Sequence, residues 1–217
     1  MSTKIVYWAP MLQPQKDDNW NLLFIEPERL LNKFINDTSN LEDDRIKKMK
    51  RCPAFTNLSK NTFYVENPIE TEFNIDNGVN IELGLSYLFF CEEDMELLMT
   101  SPYFSETKHT KHAMIVPGRF NISKWFRPFN LEMMLINTEN KFKIKENEHL
   151  AYFTFLTDEK VILKRFQLNE TLRKIATTLS NVSHWWQNVP LLKRYDRFLK
   201  TKTNRLVITE IKKQLVA

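Results

Sequence analysis

Glu106, His109 and His112 are the strongest metal-ligand candidates in the sequence. Their spacing of three places the side chains on one face if the segment is helical. Two imidazoles and a carboxylate suit Zn or non-haem Fe, with open positions for water or O₂. The same residues lie among Lys108, Thr110 and Lys111, which read as an exposed connection, so solvated loop histidines are the alternative. His149 and His184 complete a site only if the fold brings them near.

The most distinctive segment runs from Pro117 through Gly118, Arg119, Phe120, Asn121, Ile122, Ser123, Lys124, Trp125, Phe126 and Arg127 to Pro128. Read functionally, it is a loop that binds an anion or a partner. Arg119 and Arg127 are then bidentate donors and Trp125 a flat anchor. Read structurally, it is a strand that buries Phe120, Ile122 and Trp125 while its arginines pair with acidic neighbours.

A third constellation mixes aromatics with bases. Trp185 and Trp186 follow His184, and Lys193, Arg194, Tyr195, Asp196, Arg197, Phe198, Leu199 and Lys200 come after. Nucleic acid is one reading, with cations on phosphates and rings on bases. A protein partner that takes Trp and Arg anchors is the second. An amphipathic helix folded back on a sheet is the third.

Other chemistry is thinly represented. Glu92, Glu93, Asp94 and Glu96 form an acidic run without the spacing or glycine turn of a Ca²⁺ loop, and read as a solvated face. Ser, His and Asp occur, but no local signature assembles them into a nucleophilic triad. The 217 residues include only 3 Gly, which excludes a glycine-rich phosphate loop, a dinucleotide fingerprint and a nucleophile elbow. The 2 Cys, Cys52 and Cys91, exclude a multi-cysteine zinc site and read as small buried hydrophobes with free thiols.

Charge divides the chain. The total is +4, yet from Val161 onward 12 Lys and Arg face 3 Asp and Glu, a net of +9, which leaves −5 for the preceding residues. An acidic body with a basic end suits contact with an anionic surface. No apolar run reaches the ~18–20 residues of a membrane span, and the N-terminus lacks a signal sequence. A reducing cytoplasm and no membrane partner are the expectations.

The elements that must position these groups are mostly strands. Lys4–Trp8 alternates, and Phe63–Val65, Thr71–Ile75, Val79–Leu83, Leu85–Phe90, His112–Val116, Met133–Ile136, Phe142–Ile144, Tyr152–Leu156 and Val161–Leu168 are further strand candidates. A three-residue loop over Asp76, Asn77 and Gly78 would set Phe73 opposite Ile81 and give Gly78 a positive φ. Pro27 is expected to open a helix bearing Leu30, Leu31, Phe34 and Ile35. Arg51–Phe55 reads as a loop. Leu168, Leu172, Ile175, Ala176, Leu179 and Val182 make one helical stripe capped by Asn169. Pro190 opens a second helix, and Val207, Ile208, Ile211 and Leu215 define a third.

The segments Lys50–Thr56, Asn61–Pro68, Pro117–Phe120 and Lys124–Pro128 resemble a group of uncharacterised proteins of tailed phages, notably marine ones. The similarity spans about residues 50–168. It implies a viral origin and expression in a host bacterium, with a place in the virion left open, and it transfers no catalytic residue.

The sequence therefore predicts an α+β protein. Residues 1–168 form a β-rich core with N-terminal helical elements, a mostly antiparallel sheet or sandwich, and 169–217 form basic helices packed on it. The leading function is a phage-encoded, non-enzymatic interaction protein that forms a homo-oligomer or binds a protein partner. A metal-dependent enzyme on Glu106, His109 and His112 and a nucleic-acid-binding regulator are the alternatives.

Overall fold

The computed structural model describes residues 2–11, 25–38, 44–74, 80–105, 108–136, 141–180 and 190–216. In chain order the elements begin with β1 (Thr3–Pro10), β2 (Glu28–Arg29), α1 (Leu30–Asp37), α2 (Asp44–Arg51), α3 (Pro53–Ser59), β3 (Thr62–Glu66) and β4 (Thr71–Asn74). They continue with β5 (Asn80–Cys91), β6 (Glu96–Thr100), β7 (Ala113–Ile115), β8 (Gly118–Asn121), β9 (Phe129–Leu135), β10 (Lys141–Ile144), β11 (His149–Phe155) and β12 (Lys160–Arg165). Three helices close the chain, α4 (Glu170–Ser180), α5 (Leu191–Lys200) and α6 (Thr203–Lys213).

The fold is α+β. One five-stranded sheet has the order β12-β1-β5-β9-β7, and a second has the order β2-β3-β11-β6-β8. A two-stranded ladder joins β10 to β4. Among the described residues every ladder is antiparallel except β1 with β12.

Alternation places the core between the two sheets. In β9, Phe129, Leu131, Met133 and Leu135 are buried, while Asn130, Glu132 and Met134 face out. These inner residues join Val6, Trp8 and Phe89 from their own sheet and Phe63, Val65, Leu97, Phe153 and Phe155 from the facing one. Phe89 and Phe153 bridge the layers with ring centroids 5.0 Å apart. Each such side chain contributes roughly 1.5–3 kcal/mol by leaving water.

The outer faces are covered unequally. On the first sheet, Tyr7, Ala9, Leu88 and Phe90 pack against Leu172, Ala176 and Leu179 of α4, Phe198 of α5 and Val207, Ile208 and Ile211 of α6. On the second, Leu30 of α1 joins Tyr64 and Tyr152. Asn169 caps α4, its Oδ1 accepting the Leu172 N–H at 2.9 Å. No helix among the described residues is long and apolar enough to cross a membrane.

Several local expectations change. Pro27 does not open a helix: Glu28 and Arg29 first pair with Tyr64 and Phe63, and α1 starts at Leu30. Pro53 occupies the first turn of α3 instead of a loop, where its missing N–H costs nothing. The strands expected at Val79–Leu83 and Leu85–Phe90 are one strand, β5, with an irregular register between Gly84 and Tyr87. Among the described residues no ladder joins β4 to β5: Phe73 pairs with Phe142, and Ile81 pairs with Met133. Alternation specified which face those residues share, but not the neighbouring strand. The proposed turn at Gly78 lies outside the described residues.

Candidate interaction surfaces

The Pro117–Pro128 segment is built into the body. β8 pairs with β6 at the edge of the second sheet. Ile122 and Phe126 are fully buried. The Phe120 ring folds back over Gly118, so closely that a Cβ there would lie 2.5 Å from the ring. Arg119 donates through Nε to Glu96 at 3.0 Å, across the β6–β8 pair. Its partner Glu96 closes the acidic run, and the other carboxylates of that run are engaged too. Glu92 meets Lys212 at 2.6 Å, Glu93 meets Lys4 at 2.6 Å, and Asp94 accepts from Asn121 at 2.7 Å. The Asn121 amide, with the Lys124 charge behind it, holds the Asp94 carboxyl below its ordinary range. The run is thus part of the network that fastens α6, β1 and the 121–124 turn together.

Trp125 joins this segment to α5. Tyr195 stacks on its ring, with centroids 4.9 Å apart and planes at 18°. The Arg127 guanidinium sits 4.8 Å over the same ring. Burial pushes the Tyr195 hydroxyl above its ordinary value, and the charge of Arg127 opposes the shift. The two sequence candidates therefore meet, but as a junction and not as an open anion clamp. Trp125 also packs on Phe120 and Phe129, at 5.0 and 6.1 Å.

The far side of α5 is solvent-facing and basic. Leu192 is 79% exposed, and Lys193, Arg197 and Lys200 are exposed with it. Arg194 is half-buried. Trp185 and Trp186 lie outside the described residues.

A second surface emerges on the uncovered half of the first sheet's outer face. Met114 of β7 pairs directly with Met134 of β9. Both are exposed, as are Val116 and Ile136 at the strand ends. Beside them Glu82 of β5 stands opposite Glu132 of β9. Amides attend this pair: Asn80 Nδ2 donates to Glu132 at 3.2 Å, and Asn130 donates to Glu82. The sequence carried a signal for it. Asn80-Ile81-Glu82-Leu83 and Asn130-Leu131-Glu132-Met133 share one polar pattern, which an antiparallel register turns into opposed carboxylates.

An open apolar depression of ≈ 590 Å³ lies between α2 and α3, lined by Lys48, Met49, Cys52, Phe55, Leu58 and Phe104. Cys52 is exposed there, contrary to the expectation of a buried side chain, because it is the single residue between two helices. Cys91 is buried, and burial raises its thiol.

The expected metal set is not assembled among described side chains. Glu106 lies outside the described residues, and so does the side chain of His109, whose backbone belongs to a short 3-10 turn, Lys108–Lys111. His112 is half-buried just after that turn, and its carbonyl accepts the Ile136 N–H. His184 is outside the described residues. His149 belongs to the second sheet, stacked on Tyr64 at 4.3 Å, with Glu66 3.5 Å from Nε2 and the Tyr152 hydroxyl 3.1 Å from Nδ1. Among the described residues no three His, Cys, Asp or Glu side chains gather as a metal group.

No protein-family model and no curated protein matches the chain. Among solved structures, a Staphylococcus bacteriophage 80alpha dUTPase variant with dUpNHpp is similar over 51% of this chain and 78% of its own. The TM-score is 0.34 and the identity 11%, a likeness too slight to bear on fold or activity.

Proposed function

We propose that the chain is a phage-encoded, non-enzymatic interaction protein, an assembly component that presents its basic helical layer to an acidic protein surface. The observation that carries this reading is the free side of α5. Lys193, Arg197 and Lys200 recur at helical spacing of four and three, so they form one stripe, with Leu192 at its margin. None of the three bases meets a carboxylate among the described residues. The buried side of the same helix, Phe198 and Tyr195, is committed to the body. The helix is thus held rigidly while its cationic stripe faces water. A rigid stripe lowers the ordering cost of binding.

The division of charge gives such a stripe a partner, since residues 1–160 carry a net charge of −5. Self-association follows, in the host cytoplasm or in a particle assembled there. Light scattering at high protein concentration and low salt tests this. Wild type is expected to associate, and the Lys193→Glu, Arg197→Glu, Lys200→Glu variant to be monomeric. A monomeric wild type, or a salt-sensitive gel shift with DNA in its place, overturns the reading.

A further inference from the structure

We propose that the uncovered outer face of the first sheet, centred on Glu82, Glu132, Met114 and Met134, receives α5 of a second copy of this chain. This rests on the self-association argued above and names its receiving surface.

The first argument is electrostatic. Like charges directly opposite across two strands are destabilising. Glu82 and Glu132 are such a pair, and among the described residues only neutral amides attend them. A cation arriving from outside removes the repulsion. The α5 stripe supplies three, none of them committed to a carboxylate among the described residues.

The second argument is apolar. Met114, Val116, Met134 and Ile136 are exposed around the carboxylate pair, with Ile136 at 58%. Methionine side chains adapt to varied contacts. Leu192, the most exposed large apolar side chain described, flanks the basic stripe on α5. Donor and receiver therefore share one layout, an apolar spot beside a charged row, with opposite signs.

The third argument is geometric. Phe198 and Tyr195 tie the opposite side of α5 to its own body, so the stripe points away from it. The receiver belongs to another copy. Donor and receiver are different surfaces, so the contact is head-to-tail and builds a ring or an open chain.

A charge swap tests the pairing by light scattering. The donor variant is Lys193→Glu, Arg197→Glu, Lys200→Glu, and the receiver variant is Glu82→Lys, Glu132→Lys. Each alone is expected to be monomeric, and an equimolar mixture to recover association. A mixture that stays monomeric overturns the proposal. If donor reversal dissociates the protein while receiver reversal does not, self-association stands and this receiver is wrong. If neither does, both readings fall. Glu132→Gln covers the chance that reversed variants misfold. It is expected to raise Tm, by relieving the opposed charges, and to weaken association at least tenfold. A raised Tm with undiminished association overturns the proposal.

Discussion

The outer face of the first sheet is two surfaces. Where β1 and β5 lie, it presents Tyr7, Ala9, Leu88 and Phe90, and three helices cover it. Where β7 and β9 lie, it presents Met114, Glu132 and Met134, and these stay exposed. One sheet carries both halves, and β5 runs from one to the other through the register shift between Gly84 and Tyr87. The difference is in side-chain chemistry: aromatic and aliphatic residues demand a cover, whereas carboxylates among methionines tolerate water. The covered half is fold, and the bare half is free to be used.

The largest expected effect lies on the covered half. Leu172→Ala leaves a cavity between α4 and the sheet and is expected to cost about 2–5 kcal/mol in urea unfolding. A loss well below that range would mean that the helices are only loosely seated.

Alkaline titration sharpens the contrast next. Burial raises the Tyr7 hydroxyl and raises that of Tyr195, which the unfolded chain would titrate near 10. Each contributes its full stability below pH 10, and that contribution is lost as pH climbs through the folded value. Unfolding midpoints should therefore fall above about pH 10, and Tyr195→Phe should shift the alkaline limb upward. An unchanged limb would mean that Tyr195 is solvated.

Asn169→Ala removes the cap of α4 and is expected to cost about 1 kcal/mol, read by the same unfolding curves. Met134→Ala, on the bare half, is expected to leave monomer stability within about 0.5 kcal/mol of wild type. A larger loss would show that the bare half is packed after all.

Local pattern made part of this legible. The Leu172, Ala176, Leu179 stripe with the Asn169 cap is a short-range feature, and so is the alternation of β1. The N-terminal elements were harder. Glu28 and Arg29 are a strand only because β3 offers them an edge, and Pro53 starts a helix from the extended Cys52, which stands at its N-cap between α2 and α3. β6 follows an acidic run and does not read as a strand by composition, whereas β8 was legible as the structural reading of Pro117–Pro128, with Ile122 buried and Arg119 on Glu96. Strand partnership was invisible throughout, as β4 shows. The candidate residues fared alike. Trp125, Arg127 and Tyr195 stand out as residue types, but their stacking joins segments about 70 residues apart, which no local spacing reports. The Glu82–Glu132 opposition is a property of register, visible only as two similar polar patterns.

The most direct test places a photo-crosslinker at the exposed end of α5, Leu192→benzoylphenylalanine, in a mixture of isotopically light and heavy chains. Irradiation is expected to join position 192 of one copy to the peptide containing Met134, or to that containing Met114, of another. Crosslinks confined to a single copy, or intermolecular ones landing elsewhere, would contradict the assignment of a basic helix to a bare acidic sheet.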